Sequence, residues 1–428
     1  MIRKFLQSKV AQNAGWMIAG RVIQMILSFF VGLLTARYLG PGNYGLISYA
    51  GTYTTFFASL CTLGINSIIV NQLVNHPNEE GTTLCTTMVL RAISSILSLI
   101  AIIGITSVVD RGEPTTRMVV FLCALGMVFQ IVDTFNYWFQ AKLISKYSAI
   151  ATLAAYIAVS GYRIVLLILK KDVVWFAFAT SIDYIVIACV MVYAYKRNDG
   201  PAFAFSWKKA KQLLSESHHF IWAGFMVSIY GSTDRFMLKQ MVGETSVGYY
   251  ATALTLCNMW VFILAAIIDS IAPTIMQAHG INSKVYQKKN RQMYAIVFYL
   301  SAMVSLGFLL LGKYIILMLY GETYRGSIAP LKIITWYTAF SYLGVARNTW
   351  IVCEHKQKYL KYLYSGAAIS NVVLNAVLIP YMGASGAALA SLLTQVSTIF
   401  VFPAFIRELR PNVKLMLEAI CLRHITDE

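Results

Sequence analysis

Ten ionisable side chains stand inside otherwise apolar runs of this 428-residue sequence: Arg21, Arg91, Arg163, Arg235, Lys332 and Arg347, with Asp133, Asp183, Asp234 and Asp269. Two of them are adjacent, in "YGSTDRFMLKQMVGETSVGYY" at 230–250. Away from water, such groups do two kinds of chemistry. A guanidinium grips a phosphate or pyrophosphate with a planar fork of donors that an ammonium cannot copy. A desolvated carboxylate takes up a proton or a sodium ion and changes its partners as it does so. Arg21, Arg163 and Arg347 are the candidates for holding an anionic ligand. Asp234 is the first candidate for an ion-coupled switch, with Asp269 and Asp133 behind it, and Arg235, Asn348 and Asn375 are supporting polar groups. Neighbouring helical residues point about 100° apart, so Asp234 and Arg235 do not face each other and each needs its own partner. Arg91 and Lys332 stand near the ends of their runs, where a long side chain is expected to reach the headgroups.

The elements that position these groups are set by composition. The chain is 58% hydrophobic and only 12% charged, too little polar surface for an ordinary water-soluble globule. About 20 apolar residues span a bilayer as a helix. Such runs are expected at 14–36, 46–69, 86–108, 117–139, 148–169, 174–194, 220–242, 249–276, 293–318, 328–351, 362–382 and 387–406. The first follows a short basic stretch as a signal peptide would, but it is too long and lacks a small-residue cleavage site, so it is expected to remain as an anchor. The fold class is therefore all-α and polytopic, with about 12 transmembrane helices in two six-helix bundles. The bundles are expected at 1–194 and 220–406, joined by a cytoplasmic linker at 195–219 and followed by a cytoplasmic tail at 407–428 that lies along the membrane surface.

Lys and Arg concentrate in cytoplasmic loops. With the amino terminus inside, about 21 basic residues fall on the inner side and about eight on the outer, so both termini are expected in the cytoplasm. The net charge of +17 is largely these topology-setting cations beside an anionic leaflet, which argues against a nucleic-acid partner. The seven cysteines are scattered without a CxxC or a Cys/His pairing, and suggest neither a disulfide framework nor a metal site. No nucleophile elbow, HExxH, P-loop or dinucleotide fingerprint occurs in a suitable setting, and the expected outer loops are too short to carry a catalytic apparatus. No catalytic residue and no cofactor is expected.

The two halves resemble each other. An offset of 203 residues matches Gly40 with Gly243, Gly45 with Gly248 and Ala50 with Ala253; an offset near 212 matches "NYWFQAKLISKY" (136–147) with "NTWIVCEHKQKY" (348–359). Parallel repeats of this kind frame a central cleft in transporters. Polar stripes at helical spacing run along several spans: Arg21, Gln24, Ser28, Gly32 and Thr35; Tyr156, Ser160 and Arg163; Tyr337, Ser341, Gly344 and Asn348; Tyr364, Ala368, Asn371 and Asn375. They either line a cavity or pack helix on helix.

The stretches "ARYLGPGNYGLISYA" (36–50), "STDRFMLKQMVGETSVGYYATA" (232–253), "YGETYRGSIAPLKII" (320–334) and "MGASGAALASLL" (382–393), in this order and spacing, resemble the Wzx-type oligosaccharide-lipid flippases, a polysaccharide-transporter branch of the group that also holds the multidrug and toxin extrusion (MATE) exporters. The resemblance covers nearly the whole chain. It implies a MATE-like pair of lobes around a cationic cavity in a bacterial inner membrane, and transport of an undecaprenyl-diphosphate-linked oligosaccharide between leaflets for O-antigen or capsule synthesis. It also implies coupling to a proton or a sodium ion, and partnership with a polysaccharide polymerase and chain-length proteins. Tyr156 and Tyr337 are placed to stack on sugar rings. Two other readings use the same residues: a multidrug exporter on this scaffold, and a membrane polymerase or ligase of the same pathway. The first calls for a more acidic or apolar cavity and the second for a sizeable outer loop. A peptidoglycan-precursor flippase is a further cargo alternative, usually with two extra spans.

Overall fold

The computed structural model describes the backbone of residues 9–423 and the side chains from 27 onward, those at 67, 219 and 223 apart. Arg21 therefore lies outside the described side chains. The described residues form helices and no strand. In the first part of the chain come α1 (Lys9–Thr62), α2 (Asn66–Asn75), α3 (Glu80–Val109), α4 (Pro114–Leu125), α5 (Thr134–Ala141), α6 (Lys146–Ile168) and α7 (Val173–Arg197). They are followed by α8 (Trp207–Met241), α9 (Glu244–Asn258), α10 (Val261–Ala278), α11 (Ser283–Tyr320), α12 (Ile328–Cys353), α13 (Leu360–Met382), α14 (Ala384–Val396), α15 (Phe402–Phe405) and α16 (Arg410–Ile420).

Among the described residues, eight stretches are long and apolar enough to cross a membrane by themselves. The expected spans one, two, seven and ten are not among them, and three of these four carry the most telling intramembrane charges, Arg21, Asp234 with Arg235, and Arg347. Spans one and two share α1, which breaks at Gly40 (φ 70°, ψ 172°) ahead of Pro41, a residue that cannot donate the next helical hydrogen bond. Side-chain placement is inverted relative to a soluble protein. In α3 the buried positions include Thr83, Thr87, Arg91, Ser95, Ser98 and Thr106, while Ile93, Leu97 and Ile100 are exposed. This is the pattern of a helix whose solvent is lipid: lipid tails are as apolar as leucine, so polar contacts and small-residue packing hold such helices together.

The chain divides into two compact units, Met1–Leu39 with Leu46–Ser228, and Gly40–Gly45 with Ile229–Glu428. The stretch expected as a linker holds the end of α7, an irregular run at 198–206 and the start of α8. In the first unit an apolar cluster forms around Ile65, Ile69, Leu84, Phe135, Trp138 and Phe139. Trp138 Nε1 donates to Glu80 at 3.0 Å and Lys142 Nζ to the same carboxylate at 2.6 Å. In the second unit Trp350, the repeat partner of Trp138, joins Ile268, Tyr294, Leu343 and Met416 in the corresponding cluster.

The matched glycines meet within the second unit. A Cβ on Gly45 would lie 1.9 Å from the Glu244 carbonyl oxygen, and one on Gly248 would lie 1.9 Å from the Pro41 carbonyl oxygen. Each half of the pair thus needs glycine so that the other's backbone can approach. A similar approach joins α13 to α14, where a Cβ on Gly386 would sit 2.4 Å from the Leu378 carbonyl oxygen. The run of small residues from Ala384 to Ser391 is what allows α14 to pack this closely.

Candidate functional site

Each unit buries a charge. In the first, Arg91 of α3 is 1% exposed. Its Nη2 donates to Asn66 Oδ1 at 2.7 Å and its Nη1 to Thr134 Oγ1 at 3.2 Å, and its guanidinium lies 5.3 Å from the centre of the Tyr137 ring. Asp133 ends a 3₁₀ segment, Gly126–Asp133, between α4 and α5, and lies within electrostatic reach of the same arginine. Arg91 thus does not reach toward the headgroups as expected. Its Nη donors are taken instead by Asn66 and Thr134 inside the unit.

Arg163 of α6 is half-buried and lies within electrostatic reach of Asp183 on α7. Ser160, on the same stripe, is buried, and Tyr156 is half-buried.

In the second unit Asp234, seven residues before the end of α8, is a buried carboxylate, 6% exposed. Three side chains from three other helices donate to it. Tyr250 of α9 meets Oδ2 at 2.7 Å, Ser391 of α14 meets the same oxygen, and Asn375 of α13 donates Nδ2 to Oδ1 at 2.6 Å. Asn375 Nδ2 also reaches Asn371 Oδ1 at 3.0 Å. Charge-assisted bonds of this kind are about twice as strong as neutral ones, and together they satisfy a carboxylate that would otherwise be costly to bury. Two atoms at the edge of the cluster are buried without a hydrogen-bond partner, Asn375 Oδ1 and Asn371 Nδ2. The polar stripe of α13 therefore packs on a neighbouring helix through its asparagines. Arg235 turns away from Asp234, its Nη2 donating to Ser232 at 3.1 Å, so the two adjacent charges do have separate partners.

Arg347 of α12 is 3% exposed. Its Nη1 donates to the Thr398 carbonyl at 2.9 Å, inside a π-helical turn, Ser397–Val401, while its Nε is buried without a partner. Single π turns within α-helices recur at functional positions. Tyr294 and Tyr364 lie within electrostatic reach of the guanidinium. The remaining candidates are more open. Asp269 and Asn348 are exposed on α10 and α12, Lys332 is exposed as expected, and Tyr337 is half-buried. The second unit thus gathers Asp234 and Asn375 but not Asp269. Sequence reasoning missed Tyr250 and Ser391 as Asp234 ligands, and Asn66 and Thr134 as Arg91 ligands. Single hydroxyls and amides in apolar helices carry no signature of their own, although Asn371 and Asn375 were visible as an i, i+4 pair.

Solved structures share this architecture. The lipid II flippase MurJ in an inward closed conformation superposes with a TM-score of 0.74 at 12% identity, over 95% of this chain and 91% of its own. The inward-facing conformation of a multidrug resistance MATE family transporter of the MOP superfamily gives 0.67 at 14% identity, over 92% and 95%. The fold is thus the MATE-like one, an all-α, multi-pass membrane architecture. By sequence, the chain is 20% identical to the capsular polysaccharide biosynthesis protein CapF of Staphylococcus aureus, over 94% of this chain and all of that one. Residues 10–279, more than half of the sequence, match the family described as Polysaccharide biosynthesis protein, and the chain belongs to that family.

Proposed function

We propose that this protein is a flippase that moves an undecaprenyl-diphosphate-linked oligosaccharide repeat unit from the cytoplasmic to the periplasmic leaflet of a bacterial inner membrane, for O-antigen or capsule synthesis. In this reading both termini face the cytoplasm, the two bundles alternate access, and a proton or sodium ion drives the cycle. The observation that supports it most is the coincidence of a polysaccharide-biosynthesis family with a fold shared by the lipid II flippase MurJ. Arg21, Arg163 and Arg347 are the proposed contacts of the pyrophosphate, Arg347 through the Nε–H that has no protein partner.

Asp234 is the proposed coupling group. As a carboxylate it accepts from α9, α13 and α14 at once. A proton on it would replace an acceptor with a donor, and one of the hydroxyl bonds, from Tyr250 or Ser391, would have to reverse or break. A sodium ion would instead draw on oxygen lone pairs, for which Asn375 Oδ1 is available. Either event biases how four helices of the second unit pack, which is what an ion-driven conformational switch requires.

The test is complementation of a strain whose surface polysaccharide export is blocked at the flippase step, with membrane levels matched by immunoblot. Wild type restores surface polysaccharide, while Arg163→Ala, Arg347→Ala and Asp234→Asn do not. Failure of well-expressed wild type to restore it overturns the cargo assignment and makes drug efflux the next assay. Normal export by all three variants overturns the site.

A further inference from the structure

The last span ends at Phe405, and the amphipathic helix α16 starts five residues later. Its inner face is fixed to α11 of the same unit. Asn412 Nδ2 donates to the Tyr294 hydroxyl at 2.8 Å, Arg291 Nε meets Glu418 Oε2 at 2.6 Å, and the Tyr299 hydroxyl donates to the Ile420 carbonyl at 2.6 Å. The outer face opens a cavity of about 510 Å³ with an apolar floor that includes Val413 and Leu417 and a rim that carries Arg410, Lys414 and Arg423. The acid among its lining residues, Glu418, pairs with Arg291 at 2.6 Å and only loosely, at 3.9 Å, with the 79% exposed Lys414. Arg410 is held in place by its own Nε–H, which donates to the Ala404 carbonyl at the end of the last span. Phe405 and Leu422, both well exposed, flank the groove.

A water-facing groove would not carry those apolar neighbours, and a lipid-buried one would not carry three cations. The combination belongs at the headgroup level of a bilayer, where a basic helix sinks its apolar face toward the acyl chains. We infer that the outer face of α16 binds one anionic phospholipid, its phosphodiester on Arg410, Lys414 and Arg423 and the upper part of an acyl chain on Val413 and Leu417. A zwitterionic lipid would bring an ammonium among three cations. A soluble phosphate would leave the apolar floor uncovered.

The experiment is native mass spectrometry of the purified full-length chain in non-ionic detergent, titrated with phosphatidylglycerol or phosphatidylcholine. One phosphatidylglycerol is expected to be retained where phosphatidylcholine is not. The variant Arg410→Gln, Lys414→Gln, Arg423→Gln should weaken that binding by about a factor of five per cation, roughly a hundredfold in all. A charge-matched variant elsewhere, Lys170→Gln, Lys171→Gln, Arg325→Gln, should keep it. The inference is overturned if the groove variant holds phosphatidylglycerol as tightly as wild type, if phosphatidylcholine binds equally well, or if millimolar inorganic phosphate displaces the lipid completely. Should the triple variant not run as a monodisperse species on size exclusion, single Lys414→Gln and Arg423→Gln substitutions carry the same test at about fivefold each.

Discussion

Each unit buries charges of both signs, Arg91 and Asp110 in the first, Arg347 and Asp234 in the second. Two of these sites solve opposite problems. The first unit buries a cation, Arg91, and surrounds it with acceptors and an aromatic face from Asn66, Thr134 and Tyr137. The second buries an anion, Asp234, and surrounds it with donors from Tyr250, Asn375 and Ser391. An arginine in a protein cannot give up its proton, so the first arrangement has one state. A carboxylate is an acceptor when ionised and a donor when protonated, so a site built on one is open to switching. The contrast suits Arg91 to a fixed post and Asp234 to the switch proposed above, a difference that substitution separates.

The largest effect is expected at Asp234. Asp234→Asn keeps the shape of the side chain but fixes one charge state, so export per folded molecule should fall by about 5- to 150-fold, the usual span of coupling between two sites. The thermal midpoint of the purified protein should move much less than export does. Arg91→Met should reverse the pattern. It leaves Asn66 without its donor and Asp133 without its nearby cation, at a cost of about 3–5 kcal/mol. The midpoint should drop by many degrees, while export per folded molecule stays close to wild type. An Arg91→Met protein that is stable but inactive would make the first unit's charge part of the transport path and end the comparison.

Arg347 sharpens it from another side, because the second unit also holds a buried cation. It has one protein acceptor where Arg91 has two, and in both the Nε is buried with no partner. Arg347→Lys keeps the charge and can keep the bond to the Thr398 carbonyl, but it loses the fork. Export should fall about tenfold, near 1.4 kcal/mol, and the midpoint should hold. Equal losses in Arg347→Lys and Arg347→Ala would support forked recognition; full activity in Arg347→Lys would make the residue a point charge and nothing more.

How much of this was legible beforehand follows from the physics of each signal. Bilayer thickness imposes long apolar runs, so the helical class and eight of the expected spans are written in hydropathy. A backbone-to-backbone crossing tolerates only glycine, so Gly45 and Gly248 stood out at a fixed offset before their contact was seen. Asp234 was visible because charge is rare in such runs, and Asn375 because it shares a helical face with Asn371. Tyr250 and Ser391 were not, since tyrosine and serine occur throughout the spans and only tertiary packing selects two of them. Arg91 was misplaced because its partners, Asn66 and Thr134, come from other helices that only tertiary packing brings to it.

The smallest expected effect lies at the helix ends, where the comparison continues with ion pairs. The first unit pairs a buried Lys209 Nζ with the largely exposed Glu79 at 2.8 Å; the second pairs Arg291 with Glu418 at 2.6 Å, both mostly buried. The hydrogen bond and charge of Lys209 hold the Glu79 carboxyl below its ordinary value of 4.5. A depressed folded-state value means that the unfolded chain binds the proton more readily. The pair's contribution is therefore complete above about pH 4.5 and is lost as pH falls through the lower folded value. Solvent screening keeps that contribution small. Glu79→Gln should thus lower the midpoint slightly at pH 7 and scarcely at pH 3.5, while Glu418→Gln, which leaves a largely buried guanidinium without its counter-charge, should cost more at neutral pH. Equal losses for the two substitutions would mean that burial does not set the worth of these pairs, and the same doubt would then extend to the contrast between Arg91 and Asp234.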